Sequence, residues 1–329
     1  MQYRSIKRAE WDQVLEKLIE SHVVYANVAD EFGEDYELLK PSHISDIAYN
    51  KPKPATSLKS FFLPVKENVT SGISENRKRI IIGTPNCDIE GLSILDEIYL
   101  DKDFEDPFYR LRRENTLLIS SDCFGIREHC HCLTYSIKPW SDGKADLAVI
   151  SLDELIVFRV ISEKGESFLK VVPGVTQLDD KETISLIGKK QEETIALLEK
   201  TNKGLPDYRK TGKIVAEAKK EVWMKYSARC VSCGACATIC PTCTCFLLID
   251  KPGFEKVKQL DACQYPGFER VAGGEDSLHM LPDRFRNRYM CKYVWKPEKF
   301  SSLACTGCGR CIEACIGKIN KNEMFREFA

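Results

Sequence analysis

Apolar residues first recur at helical intervals near the start of the chain, where Trp11, Val14, Leu15, Leu18 and Ile19 predict an amphipathic helix over residues 6–20. Shorter apolar runs at 23–28 and 79–83 predict strands, and Leu92, Leu95, Ile98 and Tyr99 share one face of a helix expected over 90–100. A further strand is expected at 116–120. The order of strand, cysteine-bearing loop, helix and strand describes a βαβ unit with its chemistry at the carboxyl end of the first strand. Strands are also expected at 146–150, 155–160 and 168–172. Two long, charged amphipathic helices follow over about 179–200 and 206–226, and their lysine runs, such as Lys219-Lys220, read as solvated helix faces.

This pattern predicts an α+β fold in three parts. Residues 1–175 form an N-terminal α/β domain, 176–226 a helical connector, and 227–329 a ferredoxin-like domain. A chain of 329 residues is long enough for each large part to bury its own core without disulfides. Its 48 basic and 49 acidic residues leave no bias toward nucleic acid. No run of eighteen apolar residues predicts a membrane span, and the polar start of the chain lacks the apolar stretch of a signal peptide, so a cytoplasmic location is expected.

Cysteine changes the picture most. Sixteen cysteines fall in two blocks, 87–132 and 230–315, a clustering that points to metal ligation in a reducing compartment. The second block carries one pattern twice: Cys230, Cys233, Cys236 and Cys240-Pro241, then Cys305, Cys308, Cys311 and Cys315. Three cysteines at steps of three, with a fourth four residues on, suit a loop that wraps one 4Fe-4S cubane and reaches across to another. On that rule one cluster takes Cys230, Cys233, Cys236 and Cys315, and the other takes Cys305, Cys308, Cys311 and Cys240. Zinc sites of the C-x-x-C type usually join two pairs through a longer spacer. The 64 residues from 241 to 304, between the copies, exceed the connection of a minimal ferredoxin and are expected to be functional or to pack on a partner.

Cys87, Cys123, Cys130 and Cys132 form a separate quartet. If the strands before Cys87 and Cys123 are neighbours, both thiols leave the sheet at one edge, where Cys130 and Cys132 can complete a ligand set. Spacing leaves a third 4Fe-4S cluster, a zinc site and reduced thiols all open. His129 and His131 flank the last two thiols and are expected to hydrogen-bond, with His131 a substitute ligand at most. Cys243, Cys245, Cys263 and Cys291 remain; they are expected to be buried thiols beside the cluster at Cys240, not a fourth metal site.

With these residues assembled, the chain resembles the beta subunits of cytoplasmic sulfhydrogenases and the A subunits of anaerobic sulfite reductases. The resemblance runs from about Ile81 to Cys315 and is most specific at Cys240-Pro241-Thr242-Cys243-Thr244-Cys245-Phe246. It extends to Asp106-Pro107-Phe108-Tyr109, to Arg112-Arg113 and to residues 263–274. The family's cysteine-aspartate, cysteine and C-x-C elements fall on Cys87-Asp88, Cys123, and Cys130-His131-Cys132, so the resemblance implies a third 4Fe-4S cluster there. His131 stands where the family commonly has an aromatic residue, and Cys291 where it usually has a histidine before a lysine.

No glycine-rich dinucleotide fingerprint follows a strand and no P-loop occurs, so neither flavin nor nucleotide is expected in this chain. No catalytic acid–base constellation stands out among the five histidines. The resemblance supplies the missing chemistry as partners: a flavoprotein oxidising NAD(P)H, and a catalytic subunit of hydrogenase or siroheme reductase type. The expected function is an iron–sulfur subunit relaying single electrons between them. The alternatives are a catalytic iron–sulfur subunit of heterodisulfide-reductase type and a zinc-stabilised scaffold.

Overall fold

The computed structural model describes residues 2–70 and 77–328. The chain opens with a strand, β1 (Gln2–Lys7), and the first helix, α1 (Arg8–Ser21), begins only after it. The helical expectation from residue 6 therefore starts two residues early. β1 lies antiparallel to a later strand over Gln2↔Val160 to Lys7↔Leu155, a non-local pairing that local periodicity does not reveal.

The strands β2 (Val23–Asp30), β3 (Gly33–Leu38) and the short β4 (Lys66–Asn68) follow. Next come β5 (Arg79–Pro85), α2 (Asn86–Tyr99), α3 (Pro107–Glu114), β6 (Thr116–Ser121), β7 (Leu147–Leu152) and β8 (Leu155–Val160). The expected strand at 168–172 is instead the end of a helix, α4 (Glu163–Lys170). The Ser162 hydroxyl caps it by accepting from the Gly165 amide at 3.1 Å, and its helical turn delivers Leu169 into the core. β9 (Thr176–Gln177) completes an eight-stranded sheet of order β3-β2-β5-β6-β7-β8-β1-β9. Its centre is parallel, from β2 through β7, and its flanks are antiparallel.

α1 covers one face of the sheet, where the fully buried Trp11 packs edge-on against Phe158 and donates to the Tyr49 hydroxyl at 2.8 Å. α2 covers the other, burying Ile89, Leu92 and Leu95 against Ile81 and Leu118. Each buried aliphatic side chain of this kind contributes about 1.5–3 kcal/mol. β5 and β6 are parallel neighbours with Pro85 opposite Ser121, so the residues just after them leave the sheet at the same edge.

A long helix, α5 (Lys181–Thr201), follows. The second expected connector helix is broken into α6 (Tyr208–Glu217) and α7 (Lys220–Ser227), because Ala218 and Lys219 adopt extended backbone. The C-terminal region holds α8 (Ala235–Thr238), the hairpin β10 (Phe246–Lys251) and β11 (Glu255–Leu260), and α9 (Leu281–Met290). A π-type turn over Cys291–Trp295 leads into α10 (Lys296–Lys299), and α11 (Arg310–Glu313) and α12 (Lys321–Phe328) end the chain.

The C-terminal region is welded to the sheet domain at two places. β4 adds to the hairpin in a sheet of order β10-β11-β4, and the buried Lys258 bridges Glu67 at 3.0 Å and Asp106 at 2.7 Å. Near the cysteines, Arg310 and Asp88 form a fully buried ion pair with an Nη2–Oδ2 distance of 2.9 Å. Arg310 also donates to the carbonyls of Pro54, Ala55 and Thr56, while Asp88 accepts from the Leu58 amide, so both groups are fully partnered. Asp88→Asn would leave the Arg310 charge buried without a counter-charge, and a loss of about 3–5 kcal/mol is expected. Thermal unfolding of the anaerobic holoprotein should show a markedly lower midpoint; an unchanged midpoint would show that the pair does not hold the two regions together.

Candidate metal centre

The two cysteine repeats fold alike. In the first, Ser232 (φ 54°) and Gly234 (φ 71°) are left-handed and lead into α8; in the second, Gly307 (φ 67°) and Gly309 (φ 78°) do the same before α11. Each left-handed pair turns the backbone around its cysteines, which suits loops whose amides face inward to a cluster. Gly307 and Gly309 have a second reason to be glycine. A Cβ on them would lie 2.4 Å from the His131 carbonyl oxygen and 2.3 Å from that of His129, so the second repeat is pressed backbone to backbone against the N-terminal cysteine loop.

Three cavities result. Cys230, Cys233, Cys236 and Cys315 line the first, with Cys311 at its wall. Cys240, Cys305, Cys308 and Cys311 line the second. Cys87, Cys123, Cys130 and Cys132 line the third, again with Cys308 at the wall. Thus the last cysteine of each repeat sits with the first three of the other. Cys87 lies in the first turn of α2, not in a loop before it, while Cys123 follows β6 at the same sheet edge. The first and second cavities share Cys311, Arg288 and Lys321, and the second and third share Cys308.

Burial disfavours the charged form of many of these thiols. It pushes Cys87 and Cys123 well above the ordinary thiol range, Cys132 and Cys308 up to about 12, and Cys230 and Cys236 upward as well. Metal binding at these positions must therefore displace protons. Two thiols go the other way. A hydrogen bond from Cys243, with Lys292 and Arg288 nearby, holds Cys240 well below the ordinary range; at Cys305, Lys321 and Lys292 overcome the effect of burial.

Buried cations surround the cavities, and periodicity alone does not find them. Arg288, Lys292 and Lys321, which line the first or second cavity, are each at most 4% exposed, and among the described residues none pairs with a carboxylate. Lys292 Nζ donates to Cys240 Sγ at 3.0 Å, to Thr242 Oγ1 at 2.7 Å and to the Ala304 carbonyl at 2.9 Å. Burial alone would lower the Lys292 pKa, but Cys240 and Cys243 carry it well above the usual value. Arg288 donates to the Cys236 carbonyl at 3.1 Å, and its Nε has no partner. Lys53 reaches Cys130 Sγ at 3.8 Å but is also paired with Glu313 at 2.7 Å.

An uncompensated buried cation costs several kcal/mol, so these side chains require negative charge inside the cavities. Thiolate-bound iron–sulfur clusters carry net negative charge, and the donor set fits them. Among the described residues no three thiol, imidazole or carboxylate groups are close enough to hold a single metal ion. The thiols stand around cavities instead.

Both ring nitrogens of His131 have hydrogen-bond partners, as expected for a histidine in this loop. Its Nδ1 lies 2.7 Å from the His129 carbonyl, which fixes the proton on Nδ1, and its Nε2 accepts from Lys321 Nζ at 2.6 Å. Burial and Lys321 together hold it well below the ordinary imidazole range, hence neutral. Of the remaining thiols, Cys243 lies against Cys240, Cys245 is hydrogen-bonded to the buried Cys263, and Cys291 starts the π-type turn and lines none of the three cavities.

Residues 229–319 match the family model of a 4Fe-4S dicluster domain, which supports two 4Fe-4S clusters in this region. Over 343 aligned residues, covering 99% of this chain and 98% of the relative, the chain is 28% identical to sulfhydrogenase 2 subunit beta of Pyrococcus furiosus. No solved structure matches.

Replacing Lys292 by Met removes the positive charge beside Cys240 while nearly keeping its volume. Because that charge favours the more negative, reduced form, the potential of a cluster at Cys240 should fall by on the order of 100 mV, the scale of one charge about 4 Å away at an effective dielectric near 20. An EPR-monitored redox titration checks this; an unchanged potential would place Lys292 outside the cluster's field.

Proposed function

We propose that this chain is a three-cluster electron-transfer subunit of a larger oxidoreductase. Cys230, Cys233, Cys236 and Cys315 hold one 4Fe-4S cluster, Cys305, Cys308, Cys311 and Cys240 a second, and Cys87, Cys123, Cys130 and Cys132 a third. The observation that carries this reading is the sequence of shared walls: Cys311 belongs to both the first and second cavities, and Cys308 to both the second and third. Neighbouring redox sites with common walls suit passage from one to the next.

A bound 4Fe-4S cluster supplies reversible one-electron transfer. The protein's own residues fix the path and tune it. Amide groups such as Ile319 N–H, 3.3 Å from Cys315 Sγ, and Arg127 N–H, 3.4 Å from Cys130 Sγ, donate to ligand sulfurs and so favour added negative charge. Lys292, Arg288 and Lys321 act in the same direction from the second cavity, and Tyr293 and the backbone around it exclude water from that site.

The partners in this reading are a flavoprotein that oxidises NAD(P)H and a catalytic subunit of hydrogenase or siroheme reductase type, in keeping with the full-length likeness to a sulfhydrogenase subunit. No flavin binds this chain, and the complex works in the cytoplasm. Among the described residues no helix is long and apolar enough to cross a membrane. The hairpin offers a contact surface: β10 is an edge strand, with Phe246, Leu247 and Leu248 38–58% exposed and Phe254, in its turn, 98% exposed. Edge strands with exposed apolar side chains are normally covered.

Anaerobic purification of the native complex tests the cluster content. About twelve irons and no flavin per copy of this chain are expected, and Cys87→Ser should remove up to about four irons while leaving the C-terminal EPR signals. Zinc in place of iron, or about eight irons in the unaltered chain, would overturn the three-cluster assignment. Leu247→Glu combined with Leu248→Glu should release co-purifying subunits at unchanged iron content; retention of every partner would exclude the hairpin as the contact.

A further inference from the structure

Twelve of the sixteen cysteines are accounted for by the proposed clusters, and two of the remaining four touch each other. Cys245 immediately precedes β10, and Cys263 follows β11 by three residues. The hairpin ladder, with Phe246 opposite Leu260, is prolonged by a bond from the Asp261 amide to the Cys245 carbonyl at 2.9 Å. This pairing holds the two segments in register and brings the Cys245 thiol into hydrogen bonds with both the side chain and the backbone of Cys263. The register places the two thiols as neighbours at the open end of one hairpin, on segments that the backbone pairing already holds together, a placement from which a disulfide can close.

Their setting differs at the two sulfurs. Cys263 is buried and accepts from Gln264 Nε2 at 3.7 Å, an amide that is itself anchored on the Arg284 carbonyl at 2.7 Å. Cys245 is half-buried. Lys296 is held over this loop by the Thr242 carbonyl at 2.8 Å and Thr244 Oγ1 at 3.2 Å, and Lys59 by the Cys243 carbonyl at 3.2 Å. The hydrogen bond from Cys263, helped by Lys296 and Lys292, lowers the Cys245 pKa to about 6. A stabilised, half-buried thiolate beside a buried thiol is the arrangement of a reactive cysteine and its resolving partner.

The pair also adjoins the iron–sulfur region. Cys243 is hydrogen-bonded to Cys240 and is an electrostatic neighbour of Cys263, so a line of thiols runs from the second cavity to Cys245.

We propose that Cys245 and Cys263 form a redox-active dithiol–disulfide couple, a two-electron site separated from the Cys240 cluster by the single thiol of Cys243. On oxidation the Cys245 thiolate and the Cys263 thiol join in one S–S bond: the Cys263 S–H bond breaks, its proton passes to solvent, and two electrons pass singly to the oxidised iron–sulfur clusters of this chain. On reduction the clusters return both electrons, the S–S bond is cleaved, Cys263 takes up one proton and Cys245 returns to its thiolate. The couple thereby joins one-electron transfer to two-electron thiol chemistry, and it rests on the cluster assignment above.

The test uses the intact, anaerobically purified protein, poised with mediators at a series of potentials, quenched in acid, alkylated and mapped by mass spectrometry. The expected result is a Cys245–Cys263 crosslink in oxidised samples that is absent from reduced ones, with two fewer alkylated thiols per chain. Cys245→Ser should abolish the crosslink and leave about twelve irons and the EPR signals in place. Alkylation of both cysteines at every potential in a twelve-iron protein would overturn the couple alone. About sixteen irons would overturn it in favour of a fourth cluster on these thiols. Failure of the cluster assignment is read separately, from the iron content and EPR of the same samples.

Discussion

Buried positive charge is the constraint around which this molecule is arranged. Three lysine and arginine side chains, Arg288, Lys292 and Lys321, lie almost wholly out of water beside the thiol-lined cavities and bond to a carbonyl, a thiol, a hydroxyl and an imidazole where carboxylates would be expected. In a folded protein such groups are tolerated only where opposite charge is supplied. Cys240, 3.0 Å from Lys292, supplies part of it, and the 4Fe-4S clusters that the dicluster match supports in the C-terminal region supply more. Fold and cofactor content are therefore coupled: the same lysines that tune a cluster are the groups whose burial is unfavourable without it.

The N-terminal domain and the cysteine repeats act as one body for a related reason. The Asp88 carboxylate, one residue beyond Cys87, neutralises Arg310, two residues beyond Cys308. The glycines on either side of Cys308 allow its loop to lie on the backbone of His129 to Cys132. Thiols from distant parts of the sequence are held by an ion pair and close backbone packing, not by a flexible tether, which fixes the separation of the second and third cavities.

Much of this was legible in the chain. The duplicated cysteine spacing indicates which thiols belong together across the repeats, and the apolar runs at 79–83 and 116–120 place Cys87 and Cys123 on one sheet edge. The strand at 2–7 was not legible, because its partner is some 150 residues away and it has no turn signal of its own. The stretch at 168–172 misleads because a run of apolar residues ending a short capped helix resembles a strand. Lysines are the instructive failure: on composition Lys59, Lys292 and Lys321 are ordinary surface residues, and only tertiary structure turns them inward. The lysine after Cys291 and the aspartate after Cys87 were visible through the resemblance to sulfhydrogenase beta subunits, but their partners were not.

The walls common to successive cavities have one more consequence. If each cavity holds a cluster, an electron resting in the middle one is separated from its neighbours by little more than a single cysteine, in surroundings where charges are weakly screened. Its negative charge then makes a second electron less welcome on either side. Such a line of sites fills anticooperatively: its apparent potentials belong to the occupied array as a whole, and traffic along it self-spaces, with one electron's departure opening the way for the next.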